Sequence, residues 1–243
     1  MCSEFAFSVD TVTMDVRFFR APLVSLVDLV GNPKLLLEPQ RFEPVIVSLS
    51  YSKSAPPFVG GFKIAYPGYT NTPLFKESST KVCLKQCYYM NPGSSTRKIY
   101  ENGHQAELLT MDLNCIGWAA ALMTCVYDFM DEKEPTLGQP PFDVPQMHYV
   151  QAGLAVSKTD DPAKAAFLIE EYIEADASSK EWFVKYLNNN SAKARIFTDE
   201  EKSIRAEFLS FAQHVQFWRT EGLAFVSDLQ GMRQSMNSSL FNY

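Results

Sequence analysis

Cysteine is scarce in this sequence and does not come in pairs. The five residues Cys2, Cys83, Cys87, Cys115 and Cys125 are odd in number and scattered. The start, MCSEFAFSVD, lacks the basic opening and the long apolar run of a secretory signal. Free thiols and a cytoplasmic location are therefore the expectation. The most apolar early stretch, APLVSLVDLV, is interrupted by Asp28 and falls short of the roughly 20 apolar residues that a bilayer span needs. No membrane partner is expected on that ground. Basic residues are also outnumbered, with 22 Lys and Arg against 28 Asp and Glu and a net charge of -6. With no basic stripe to reverse that balance, nucleic acid is excluded as the main partner. A nucleotide needs only a few local cations and stays open. Only three histidines are present, and neither GxSxG nor a Ser/His/Asp order supports a hydrolase. HRD and DFG are missing, so an ordinary protein kinase is excluded too. Asn189-Asn190-Ser191 matches a glycosylation sequon, but in a chain that is not exported it reads as a polar turn.

What is present is enough apolar material for a sizeable core, 46% of 243 residues, as one large domain or two lobes. VIVSLSY (45–51) alternates like a strand, and FKIAY and KVCLKQCYY read as two more. MNPGSSTRK (90–98) reads as a turn or loop. Leu109, Leu113, Ile116, Ala120, Met123 and Tyr127 recur at helical steps, which predicts a helix from about Gln105 to Met130. The four prolines of 131–146 predict a connection. MHYVQAGLAV and AAFLIEEYI read as strands, or as a strand and a short helix, and FVKYLNNN ends in turn-forming asparagines. Thr198 with Glu201 forms a capping box for a second helix, whose stripe is Ile204, Phe208, Phe211, Val215 and Trp218 and which Gly222 ends. LAFVSDLQG reads as a closing strand. The pattern predicts an α+β fold of two lobes with a hinge near 131–175.

Several side chains in this frame carry chemistry. If FVSDLQG is a strand, Asp228 and Gln230 lie on one face, with Gly231 at the turn. Their two oxygens suit Mg²⁺, which keeps waters and phosphate oxygens as its other ligands; a polar strand end is the plainer alternative. Lys85 shares a strand face with Cys83 and Cys87. Buried there it needs an anion, which a nucleotide phosphate would supply; at a sheet edge it would face solvent. A metal site on Cys83 and Cys87 is disfavoured, because both lie on one strand and no second Cys pair completes it. Gly60-Gly61 would let backbone N–H groups approach phosphates, or is a simple turn; it matches neither GxGxxG nor GxxxxGK[ST]. Asp112 faces a cleft or sits at the boundary of the apolar helix. Glu170 and Glu171 end an apolar run where a carboxylate or backbone group would accept from an adenine amino group. His214 lies beside the second stripe, as an edge-of-core histidine or a metal ligand, and His104 and His148 have no visible partners.

In order, these pieces resemble the atypical alpha-kinase family, of which elongation-factor-2 kinase and myosin heavy-chain kinase are familiar members. Gly-Gly before FKIAY, a strand Lys, LIEEYI, FVKYLNNN, a helix with His and then VSDLQG cover about Val45 to Gly231, with wording closest to the fungal domains. The resemblance implies a two-lobed kinase-like fold and transfer of the ATP γ-phosphate to Ser or Thr of an unidentified protein substrate. It implies that Lys85 binds phosphate and that Lys63 stands in for an arginine after the glycine loop, without the bidentate fork. Glu170 matches the adenine-side glutamate, Asp112 the helix aspartate, and Asp228 and Gln230 the magnesium-binding and catalytic Asp-x-Gln. The ammonium and the oxygen-bound ion are then expected to meet on one triphosphate between the lobes.

The end of the chain departs from the family. A Gly/Asn-rich loop with Thr-Asp-Pro and a tail His and two Cys, which complete a structural zinc with the helix histidine, are expected of the family. MRQSMNSSLFNY contains none of these, leaving His214 without co-ligands and the zinc absent. The expected organisation is an extension at 1–43, a kinase domain at 44–231 with an N-lobe of about 44–146 and a C-lobe of about 147–231, and a divergent tail at 232–243. An active kinase, an inactive remnant that binds nucleotide or protein, and a mispredicted gene end are the readings this departure leaves.

Overall fold

In the computed structural model, residues 10–22, 24–31, 38, 42–76, 79–140, 142–158, 165–173, 184–191, 193–233 and 238–241 are described. The chain divides into two compact units. The first takes 1–21, 37–114 and 151–172, and the second takes 22–36, 115–150 and 173–243. Each unit draws on segments far apart in the chain, because strands distant in sequence pair with one another.

The first unit is built on antiparallel strands that close on themselves. They are β1 (Thr11–Arg20), β2 (Val45–Ser52), β4 (Lys63–Thr70), β5 (Lys81–Met90), β8 (Ala152–Ser157) and β9 (Ala166–Glu171). β1 pairs with β2 and β8, β4 with β2 and β5, and β9 with β8 and β5, so the order returns to its start. The short strands β3 (Phe58–Val59) and β6 (Arg97–Ile99) are added to β4 and β5. Inward-facing Val16, Phe18, Val47, Leu49, Val82, Leu84, Ala155, Phe167 and Ile169 form one core. Gly153 is needed there, since a Cβ would stand 2.4 Å from the Phe18 ring. β1 corrects the reading of 1–43 as an extension. Its period-2 pattern, Met14, Val16 and Phe18 against Thr13, Asp15 and Arg17, was legible in the sequence, and it lies centrally between β2 and β8.

The second unit holds α1 (Leu26–Gly31), most of α2 (Asn102–Leu137), β7 (Met147–Tyr149), β10 (Val184–Lys185), α3 (Glu200–Arg219), β11 (Gln230–Arg233) and β12 (Ser238–Phe241). The sheet order is β10-β11-β12-β7, with β12 and β7 parallel. Ala119, Leu122, Met123 and Val126 of α2 pack with Phe208, Leu209, Ala212 and Val215 of α3, and with Tyr186, Leu187, Val226 and Leu229. Tyr127 ties α2 to the chain entering β7: its hydroxyl donates to Pro145 O (2.8 Å) and accepts from Met147 N (2.7 Å). Burial pushes that phenol up to about 12, with the Met147 bond pulling the other way.

Several local expectations need correction. α2 runs on to Leu137, through the start of the proline-rich segment read as a connection. Pro135 lies in its last turn, where few further helical bonds remain to be broken. α2 is long and apolar enough to cross a membrane by length and composition; half of its most apolar window is buried inside the protein. α3 is capped by Asp199 and not by Thr198: Lys202 N donates to Asp199 Oδ1 at 2.8 Å. The buried face of α3 is also turned from the predicted stripe. Phe208 and Val215 are buried, but Phe211 and Trp218 are exposed, and Ala212, Gln213 and Gln216 take their place inside. Gly222 ends the helical turn as expected, with positive φ and its N–H on Phe217 O at 2.7 Å.

Candidate active site

In the first unit, β5 sends alternate side chains to opposite faces, so Val82 and Leu84 enter the core while Cys83, Lys85 and Cys87 point outward. The register sets Lys63, Ala65 and Pro67 of β4 opposite Cys87, Lys85 and Cys83, and Leu168 and Glu170 of β9 opposite Lys85 and Cys83. Both lysines therefore stand on one outer face. Lys85 is only 1% exposed and its Nζ lies 2.7 Å from Glu170 Oε2, with Glu170 4% exposed. The solvent-facing alternative for Lys85 is excluded, and the anion it requires is supplied from within the chain. The Glu170 carboxylate thus serves the lysine, where the sequence had assigned it to adenine. Neighbouring Glu171 makes a second ion pair, 2.7 Å from Lys76.

Lys63 Nζ donates to Asp112 Oδ2 at 3.0 Å, which joins β4 to α2. Two helical turns before Asp112, the buried amide of Gln105 clasps the backbone of β5. Cys87 N donates to Gln105 Oε1 (3.0 Å), and Gln105 Nε2 donates to Cys87 O (3.2 Å). This clamp was missed in the sequence, where Gln105 marked only a helix start. Burial pushes the Cys83 thiol up to about 12, with Glu170 adding and Lys85 opposing. Cys87 rises to about 11 through burial and then Asp112, against Lys63.

Gly60 and Gly61 lie in the turn between β3 and β4. Gly60 N donates to Lys63 O at 2.9 Å, and the Tyr88 hydroxyl lies within hydrogen-bond distance of Gly60 O (2.8 Å) and Gly61 O (3.0 Å). Neither glycine has positive φ, and a Cβ at Gly61 would meet nothing within 4 Å. The turn accounts for the pair without a phosphate.

In the second unit, the two most specific stretches, FVKYLNNN and VSDLQG, come together. β10 pairs antiparallel with β11, Lys185 opposite Gln230 and Val184 opposite Gly231. Tyr186 N and Leu187 N both donate to Leu229 O, at 2.9 and 3.2 Å. Asn189 and Asn190 form the expected turn. Asp228 is not in a strand: its φ is 57°, a left-handed conformation that Asp tolerates better than most residues. The expectation that Asp228 and Gln230 share a strand face is therefore corrected, and so is that of Gly231 as the turn, since Gly231 is paired within β11. Lys185 Nζ forms an ion pair with Asp228 Oδ1, and the two side chains remain 36% and 26% exposed. Lys185 went unremarked in the sequence. FVKYLNNN itself was the signal, but its chemistry needed the partner strand.

His214 is exposed on α3, with Nδ1 at 2.7 Å from Ser210 O. Among the described residues no three His, Cys, Asp or Glu gather to hold a metal. By donor chemistry, the Asp228 carboxylate and the Gln230 amide oxygen are of the hard kind that Mg²⁺ takes beside water and phosphate, and the Asp228 side chain is 26% exposed.

Comparison with curated proteins returns no match. The model of the alpha-kinase family matches residues 59–242, a span that takes in Gly60, Lys85, Glu170, β10 and Asp228, and the chain therefore belongs to the alpha-kinase family of protein kinases.

Proposed function

We propose that the chain is an ATP- and Mg²⁺-dependent protein serine/threonine kinase, moving the γ-phosphate to a hydroxyl of a protein substrate. The observation that carries this reading is the meeting of FVKYLNNN with VSDLQG, which sets Asp228 beside Lys185 within a chain of this family. Phosphoryl transfer asks mainly for positioning and charge neutralisation, which these residue types supply. Mg²⁺, when bound, would offset charge on the phosphate oxygens; Asp228 and Gln230 are the residues to hold it. Lys85 would bind phosphate, with Glu170 fixing the ammonium while the nucleotide is away. Lys63, tied to Asp112, would add a second cation on the same outer face.

The test is transfer of labelled γ-phosphate by the full chain. Transfer that depends on Mg²⁺ and is lost in Lys85→Ala and in Asp228→Ala is expected. A folded chain that labels neither itself nor any protein substrate would refute the activity. A second reading, an inactive remnant that binds nucleotide or protein, is favoured by one feature: Lys63, Lys85 and Lys185 each already hold a carboxylate of their own unit. Thermal stabilisation by Mg²⁺ and ATP without turnover would support it.

A further inference from the structure

The segment 224–227 lies between α3 and β11 and belongs to no strand. Its partner is α3 itself. Gln213, Gln216 and Thr220 recur at i, i+3 and i+7, on one helical face, and all are buried. Gln213 Nε2 donates to Val226 O at 2.6 Å, and Val226 N donates to Gln216 Oε1 at 2.9 Å. The Thr220 hydroxyl accepts from Ala224 N (3.0 Å), and its single proton lies within reach of Gln216 O (2.8 Å) and Ala224 O (2.9 Å). Both backbone groups of Val226 and the N–H of Ala224 are thus met by helix side chains in place of a neighbouring strand. Two residues beyond Val226 comes Asp228 at φ 57°, and directly after it Leu229 O is pinned by Tyr186 and Leu187. A non-glycine residue keeps such a conformation only where its surroundings over-determine it.

These glutamines are not the residues that packing alone would favour. Gln213 Oε1 and Gln216 Nε2 are buried with no hydrogen-bond partner among the described residues, and a buried polar atom left unpaired is destabilising. We propose that Gln213, Gln216 and Thr220 are positioning residues, which hold 224–226 in place so that the Asp228 carboxylate keeps its metal-binding geometry. The proposal rests on the reading of Asp228 as a metal ligand.

Mn²⁺, as a spectroscopic substitute for Mg²⁺, is titrated into the full chain and free ion is followed by electron paramagnetic resonance. Wild type retains Mn²⁺ and Asp228→Asn does not. Gln216→Met weakens binding by about tenfold, as outer-shell changes do at metal sites, and Thr220→Val weakens it in the same direction. Leu122→Ala, in the core of the same unit, lowers Tm but leaves Mn²⁺ affinity unchanged. If Gln216→Met fails to fold, Thr220→Val decides. Variants that lose Tm yet bind Mn²⁺ like wild type would overturn the positioning role while sparing the metal reading. A wild-type chain that binds no Mn²⁺ at millimolar concentration would overturn the metal reading, and the positioning role with it.

Discussion

Two lysine–carboxylate pairs, one in each unit, solve opposite problems. Lys85 and Glu170 sit on adjacent strands of the closed sheet, almost wholly removed from water. Lys185 and Asp228 join a short strand to a left-handed residue and remain about a third exposed. In the first, each partner exists to neutralise the other, because an ion without a counter-charge is intolerable there. In the second, both side chains are partly exposed although Asp228 Oδ1 itself is shielded, so the pair should add less stability than the buried one. The largest effect therefore belongs to the buried pair. Lys85→Met should cost about 3–5 kcal/mol of stability, since it strands Glu170. Lys85→Met with Glu170→Met should recover most of that loss in urea unfolding without recovering phosphate transfer. Equal instability of the single and double variants would break the contrast.

The Gln105 clamp tests how far this outer face depends on polar contacts other than charge. Gln105→Leu removes two hydrogen bonds and leaves the Cys87 backbone groups with less to bond, Cys87 O keeping only a long contact from Tyr100 N at 3.4 Å. A loss of about 2 kcal/mol in urea unfolding is expected. A neutral result would mean that the β5 edge meets its bonds elsewhere.

The same contrast explains what the sequence disclosed. β4 and β5 were legible by their runs of β-forming residues, although β5 is buried on both faces, and β2 was legible by its alternation. β1 carried the same signal but was passed over amid the mixed composition of 1–43. α3 was legible in extent but not in facing, because its interior includes Gln213 and Gln216, which a search for apolar spacing skips. The strand expected at LAFVSDLQG failed for the same cause: its hydrogen bonds go to those glutamines. Lys85 could be read as buried and in need of an anion, but the anion's identity lay in the β5–β9 register, which spacing within one segment does not encode. Order along the chain carried the family; pairing between distant segments supplied Lys185.

Alkaline pH separates the units by a smaller margin. Unfolded thiols lose their protons near pH 9, whereas folded Cys83 and Cys87 hold theirs to about 12 and about 11. In that window the unfolded chain binds fewer protons, so stability present below pH 9 falls as pH rises. The phenols of Tyr127 and Tyr149 in the second unit, also raised by burial, add to the fall only above about pH 10. Tm should drop between pH 9 and about 11, and a chain carrying Cys83→Ala and Cys87→Ala should show a flatter profile over that interval. An unchanged slope would place the sensitivity in other groups.

The exposed pair should show the least change in stability and a large change in chemistry. Asp228→Asn should shift stability by less than about 1 kcal/mol. Phosphate transfer should nevertheless fall by on the order of 10²-fold, the scale at which one misplaced electrostatic group is felt. Asp228→Gly goes further, since glycine enters the left-handed region at no steric cost and should raise stability by up to about 1 kcal/mol. A chain that becomes more stable as it loses transfer would show that the backbone strain at Asp228 is kept for its carboxylate. If Asp228→Gly is less stable than wild type, the ion pair with Lys185 is worth more than its exposure suggests, and the two pairs differ in degree and not in kind.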